Sequence, residues 1–171
     1  PELPVATGVL NNLTMNKSGG ITLAASRTVN GTLTFTAGNI TTGAFILSMA
    51  TGATVARTSG HVIGNFLKNV AIGDAVARTF EIGTAGAFTP AVITFASVTV
   101  AGTLTMSSTA GDHASIAGSF IVPSTSVNRF WTATGAGGLA FTTYGIVLNF
   151  LAGDLDVGTA TTGFRIAKLT T

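Results

Sequence analysis

Hydrophobic positions along this chain recur mostly at every second residue, in short runs broken by glycine, which is the spacing of half-buried β-strands. Leu13 and Met15, then Ile21 and Leu23, then Val29, Leu33 and Phe35 each share a face, with Thr32, Thr34 and Thr36 opposite the last set. Phe45-Ile-Leu-Ser-Met49 and Ala53-Thr-Val-Ala-Arg57 continue the pattern. Gly38-Asn39, Thr42-Gly43 and Thr51-Gly52 predict turns, because Gly and Asn tolerate positive φ. Runs this short and regular fit either the rungs of a β-solenoid or one sheet of a sandwich.

Residues 61–70 change character: Ile63, Phe66 and Leu67 put apolar groups on both faces, which predicts a strand covered on both sides. A soft boundary falls at 71–77, with Gly73-Asp74 in a turn. Arg78-Thr-Phe-Glu-Ile82 then opens the second half. Residues 91–106 read as one long strand whose phase reverses. Ile93 and Phe95 set the first phase, Val98, Val100, Leu104 and Met106 the second, and a bulge near Ala96-Ser97 reconciles them. Val29-Asn-Gly-Thr-Leu-Thr-Phe35 is echoed by Val100-Ala-Gly-Thr-Leu-Thr-Met106.

The stretch 126–132 holds the single tryptophan, with Val127, Arg129 and Trp131 on one face and Asn128, Phe130 and Thr132 on the other. Trp131, Phe130 and Arg129 are therefore the expected structural residues, with a core closing over Trp131. A turn at 135–138 precedes a strand pair, 139–143 and 144–152, and the last strand is expected at 164–168. No segment holds an apolar 3.6-residue period over three turns. The expected fold is all-β and β-sandwich-like, with a β-solenoid-like N-terminal half left open. The expected divisions are an extended segment at 1–10, a short-strand region at 11–70 and a sandwich-like region at 71–171 sharing one core.

Composition narrows the function. The chain is 171 residues, long enough for one sizeable core. Its 46% hydrophobic content and mean hydropathy of +0.58 are high, yet no run reaches the ~18 apolar residues of a membrane helix. The Pro1 start reads as a chain whose natural beginning has been removed. Charged residues make up 8%, against about 25% in typical globular domains, so little like-charge repulsion opposes association. The eight cations are scattered, which argues against a nucleic-acid partner. With no cysteine, stability rests on packing and hydrogen bonds.

Chemistry-bearing residues are few. His61, at a strand start, and His113, in a loop beside Asp112, have no cysteine to complete a zinc site. Glu2, Asp74, Glu81, Asp112, Asp154 and Asp156 are too scattered to nominate an acid/base pair, and no Gly-x-Ser-x-Gly elbow occurs. The reading is of a non-enzyme without a cofactor. Asp154 and Asp156 alternate in a glycine-flanked loop and are weak calcium candidates; a polar turn whose aspartates cap loop amides is the preferred reading. Arg129 suits either a cation–π contact or an internal ion pair with Glu81 or an aspartate.

Three stretches in order carry a resemblance: Val29 to Phe35 with Gly38-Asn-Ile-Thr-Thr-Gly43, Val55-Ala-Arg-Thr-Ser-Gly-His61-Val-Ile-Gly64, and Ser126-Val-Asn-Arg-Phe-Trp-Thr132. Together they resemble domains of very large, repetitive surface proteins exported by type IX secretion in Gram-negative bacteria. The resemblance spans 10–169 and implies a secreted, cell-surface β protein of adhesins or fibres, with no catalytic residues. The expected role is thus a structural module of an extracellular bacterial fibre or filament, and the alternative is an adhesive or carbohydrate-binding sandwich with a cell-surface or glycan ligand. Most aromatics are Phe, which argues for core use over a sugar platform. Self-assembly into a homo-oligomer or filament is expected, with residues 1–10 either donated as a strand to a neighbour's sheet edge or folded back on their own domain.

Overall fold

The computed structural model describes residue 3 and residues 8–169. Val9–Leu10 (β1), Leu13–Asn16 (β2) and Ile21–Thr22 (β3) form the first coil of a parallel β-solenoid. Arg27–Val29 (β4), Thr32–Ala37 (β5) and the first part of Ile40–Met49 (β6) form the second. The rest of β6, Thr54–Arg57 (β7) and the start of Val62–Val70 (β8) form the third. Leu13 lies beside Leu33 and Leu33 beside Val55; Ile21 lies beside Ile40 and Ile40 beside Val62. Apolar residues in these columns point into one interior because side chains alternate along each strand.

Corners between the sides leave backbone groups outside the ladders, and side chains from adjacent coils satisfy them. Asn12 Oδ1 accepts from Thr32 N–H at 2.7 Å, Ser26 Oγ from Ile46 N–H at 3.1 Å, and Asn39 Oδ1 from His61 N–H at 3.0 Å. Asn69 Nδ2 donates to Met49 O at 2.8 Å. The partners are 20 to 22 residues apart, one coil in each case. Close coil stacking also dictates glycine at one corner. Gly38 and Gly60 have φ of 79° and 94°, and a Cβ on either would strike the carbonyl of Lys17 or of Gly38.

After β8 the chain stops adding parallel coils. Gly73–Phe80 (β9) turns back, Ile82–Thr84 (β10) lies parallel to the start of β8, and Ala87–Phe88 (β11) closes a hairpin on β10. Ala91–Val100 (β12) pairs antiparallel with β9. Gly102–Ala110 (β13) pairs antiparallel with β8, and Arg129–Ala136 (β14) with β13, in a sheet of nine strands among the described residues. Ala140–Phe141 (β15) and Tyr144–Leu148 (β16) pair with β12 in a second, four-stranded sheet. The chain is all-β, solenoid-like at first and sandwich-like later, and the three helical turns among the described residues are short 3-10 segments of three residues each.

One hydrophobic cluster runs from Met15 to Met106 and so joins both halves. Its largest fully buried side chains are Phe35, Phe66, Phe80 and Phe95, each contributing about 1.5–3 kcal/mol by burial. Phe66 and Phe80 meet edge to face, with centroids 6.2 Å apart. Trp131 is only half-buried and packs on the margin of this cluster. The expectation of a core closed over Trp131 is thus corrected: four phenylalanines fill the centre, and the indole N–H donates to Thr89 O at 3.2 Å from the side.

Several strand expectations change in detail. Val29 and Phe35 lie on different strands, β4 and β5, with the chain turning at Asn30-Gly31. In β8 only Val62, Phe66 and Val70 are buried; Ile63 and Leu67 face outward half-covered, so the strand is not enclosed on both sides. Residues 91–106 span two strands in different sheets. The phase does reverse between Phe95 and Val98, but the ladder shifts between Val98 and Val100, and Val100 is exposed. The echo at 100–106 crosses from one sheet to the other and pairs antiparallel, unlike the parallel coil at 29–35. Gly73 and Asp74 begin β9 instead of forming a turn, and 164–168 forms no strand. Val9 and Leu10 pair with Thr28 and Val29 of their own chain, so this part of the expected donor segment is the solenoid's own first strand. Residues 1–2 and 4–7 lie outside the described residues.

Candidate functional site

The richest polar constellation lies where β14 begins. Strand alternation turns Arg129 and Trp131 inward, and Arg129 is 7% exposed. Its guanidinium meets Asp154 with two bonds of 2.8 Å, Nε to Oδ2 and Nη2 to Oδ1. Nη1 donates to Ser108 Oγ at 3.1 Å, and that hydroxyl lies 2.8 Å from Thr89 Oγ1. Arg129 thus takes the ion-pair alternative, with an aspartate; Glu81 instead pairs with Lys68 at 2.7 Å. Asp154 Oδ2 also accepts from Leu151 N–H at 2.9 Å. The bonds from Arg129, opposed by burial, hold the Asp154 carboxyl below the usual carboxylate range.

Asp156 accepts from Ser126 N–H and from Asn128 Nδ2, each at 2.8 Å, and the Ser126 bond is the main cause of its lowered pKa. Both loop aspartates therefore aim at amides, hydroxyls and a guanidinium of their own chain. This is the geometry of a capped polar turn, and its effect is to tie residues 150–156 to the start of β14. Among the described residues, no group of three or more His, Asp or Glu side chains converges as a metal site. Phe130 points to the other face, edge to face with His113 at 4.9 Å. His61 is buried just before β8; its Nε2 lies 2.8 Å from Thr84 O, and burial pushes its pKa down.

Two surfaces emerge that strand reading did not isolate. The first is the outer face of the nine-stranded sheet. One row across it runs Val9, Thr28, Ser48, Leu67, Thr105, Thr134, flanked on β13 and β14 by the pair Ser107–Thr132. No residue of that row is charged, because the cations of these strands, Arg27, Lys68 and Arg129, point inward. The second is the edge of β14, which pairs only with β13 among the described residues. From Phe130 to Ala136 this edge has no charge and no proline, the two common devices that block strand addition. β16 likewise pairs only with β12 and is uncharged from Tyr144 to Leu148. Phe45, Phe120, Phe141 and Phe164 are exposed, so the phenylalanines are not confined to the core. Among the described residues no helix is long and apolar enough to cross a membrane.

No family model, curated protein or solved structure matches the chain.

Proposed function

We propose that the chain is a structural module of an extracellular bacterial fibre or surface assembly that associates with copies of itself edge to edge. The observation that carries this reading is the edge of β14, uncharged and proline-free from Phe130 to Ala136 and paired only with β13 among the described residues. An unpaired edge of this kind is a template for a further strand, and natural proteins usually blunt it. Pairing β14 with β14 of a second copy closes a two-fold dimer; pairing it with β16 of the next copy is heterologous and propagates a fibre. A surface with few charges supports either contact. Placement at the cell surface rests on the sequence resemblance. Light scattering over a concentration series tests the reading: the parent assembles, and Thr132→Lys with Thr134→Lys is folded and monomeric. A parent that is monomeric at millimolar concentration, or assembly unchanged by the two lysines, refutes it.

A second reading, adhesion to a neutral polysaccharide, is favoured by the outer row that includes Thr28, Ser48, Thr105 and Thr134, which offers hydroxyls without charge. Binding to insoluble neutral glycans that is lost in Thr105→Glu would separate adhesion from self-association.

A further inference from the structure

The column of strands β2, β5 and β7 ends at β7, because the next segment, β9, leaves the solenoid to pair with β12. Between the third coil and β9 lies a cavity of about 220 Å3. The turn at Ala50, Gly52 and Ala53 forms one wall, and Ala77 and Thr79 of β9 form the other. Lys68 and Arg78 both line it, and neither wall contributes a carboxylate.

These two cations are held in place by different means. Lys68 points into the core, its side chain 12% exposed, and pairs with Glu81 at 2.7 Å. Arg78 is fixed by two carbonyls of its own chain: Nε donates to Asn69 O at 2.6 Å and Nη1 to Ala77 O at 2.7 Å. The local balance is two cations against one carboxylate. Burial is the main influence pushing the Lys68 amine toward its neutral form; Glu81 opposes it and the Arg78 charge adds to it. An anion between the two would relieve that repulsion, in a setting where desolvated charge pairs act more strongly than in open water. Seams between structural units are also common places for ligand sites.

We infer that this cavity binds a small oxyanion, a carboxylate or sulfate group, between Lys68 and Arg78. The group is either free in solution or carried on an acidic sugar. Isothermal titration calorimetry with sodium sulfate, sodium acetate and sodium glucuronate tests this, with sodium chloride at matched ionic strength as the control. The expected result is saturable binding of the oxyanions and a rise in melting temperature beyond that given by chloride. Glucuronate binding at least tenfold tighter than acetate assigns the sugar-borne source; equal affinity assigns the free ion. Arg78→Gln is expected to weaken binding at least tenfold. Absence of saturable binding of any oxyanion to the parent protein, or parental affinity in a folded Arg78→Gln variant, overturns the inference.

Discussion

Replacing Asp154 by alanine is the sharpest test of how the late loop is held. The substitution leaves the Arg129 guanidinium buried and deprived of two 2.8 Å bonds, with the Ser108 hydroxyl still in reach. Breaking a buried pair by removing one partner costs about 3–5 kcal/mol. Asp154 sits nearer the surface than Arg129, 12% exposed against 2%, so water replaces part of the loss and the low end, about 3 kcal/mol, applies. An unfolding entropy of roughly 2.1 cal/mol/K per residue gives about 0.36 kcal/mol per degree for this chain, hence a melting temperature lower by about 8 °C. Arg129→Met combined with Asp154→Leu should recover most of that, because neither charge remains unpaired. The pH dependence has a definite sign. The folded carboxyl is depressed, so its stabilisation is present above the unfolded value of about 3.9 and is lost as pH falls through the lower folded value. Differential scanning calorimetry between pH 2 and 7 reads both effects. An Asp154→Ala protein melting within about 2 °C of the parent at pH 7 would show that the ion pair does not anchor the loop.

Two further outcomes follow from the solenoid. Gly38→Ala should be far more damaging than Gly43→Ala in urea unfolding: both have positive φ, costing about 1–2 kcal/mol for alanine, but only at Gly38 does the new methyl strike a backbone carbonyl. His61 should add an acid-side slope at higher pH than Asp154. Its folded pKa is lowered chiefly by burial, so its stabilisation is present above the unfolded value near 6.5 and declines as pH falls through the folded value; His61→Gln, followed by melting from pH 7.5 to 4.5, should flatten that slope.

Strand content was legible because two-residue alternation survives whatever the strands pair with. Leu33 and Phe35, or Leu104 and Met106, are buried on the face that alternation assigns them. The coil repeat was much less legible. Equivalent positions share a physical role and seldom an identity: the corner acceptors are Asn12, Ser26 and Asn39, and one inward column reads Leu13, Leu33, Val55. The signal available was the spacing of Gly20, Gly38 and Gly60, each just before a residue facing the next coil. Trp131 was misplaced because size alone ranked it; its indole N–H needs an acceptor, and the carbonyl of Thr89 at the core margin supplies one. Asp154 was identified as a turn residue from its glycine-flanked loop. Its pairing with Arg129 spans 25 residues, and no local pattern encodes such a contact. The β14 edge was hidden for a related reason, since order within a sheet is set by long-range pairing.

The hydrogen bonds that join each coil to the next also fix how the molecule yields under tension. In the solenoid, strands of successive coils are bonded side by side, so a pull that lifts the first coil off the second opens its bonds in sequence instead of shearing them together. Coils contact only their neighbours in such an array, and each carries its own corner bonds one coil away. A chain drawn from the β1 end should therefore pay out in steps of one coil. Each step releases about 20 residues, or roughly 70 Å of extended chain at ~3.3–3.6 Å per residue, before the load reaches the antiparallel strands beyond β8. In a tethered surface protein, that sequence would make the solenoid an extensible link ahead of a stiffer sandwich.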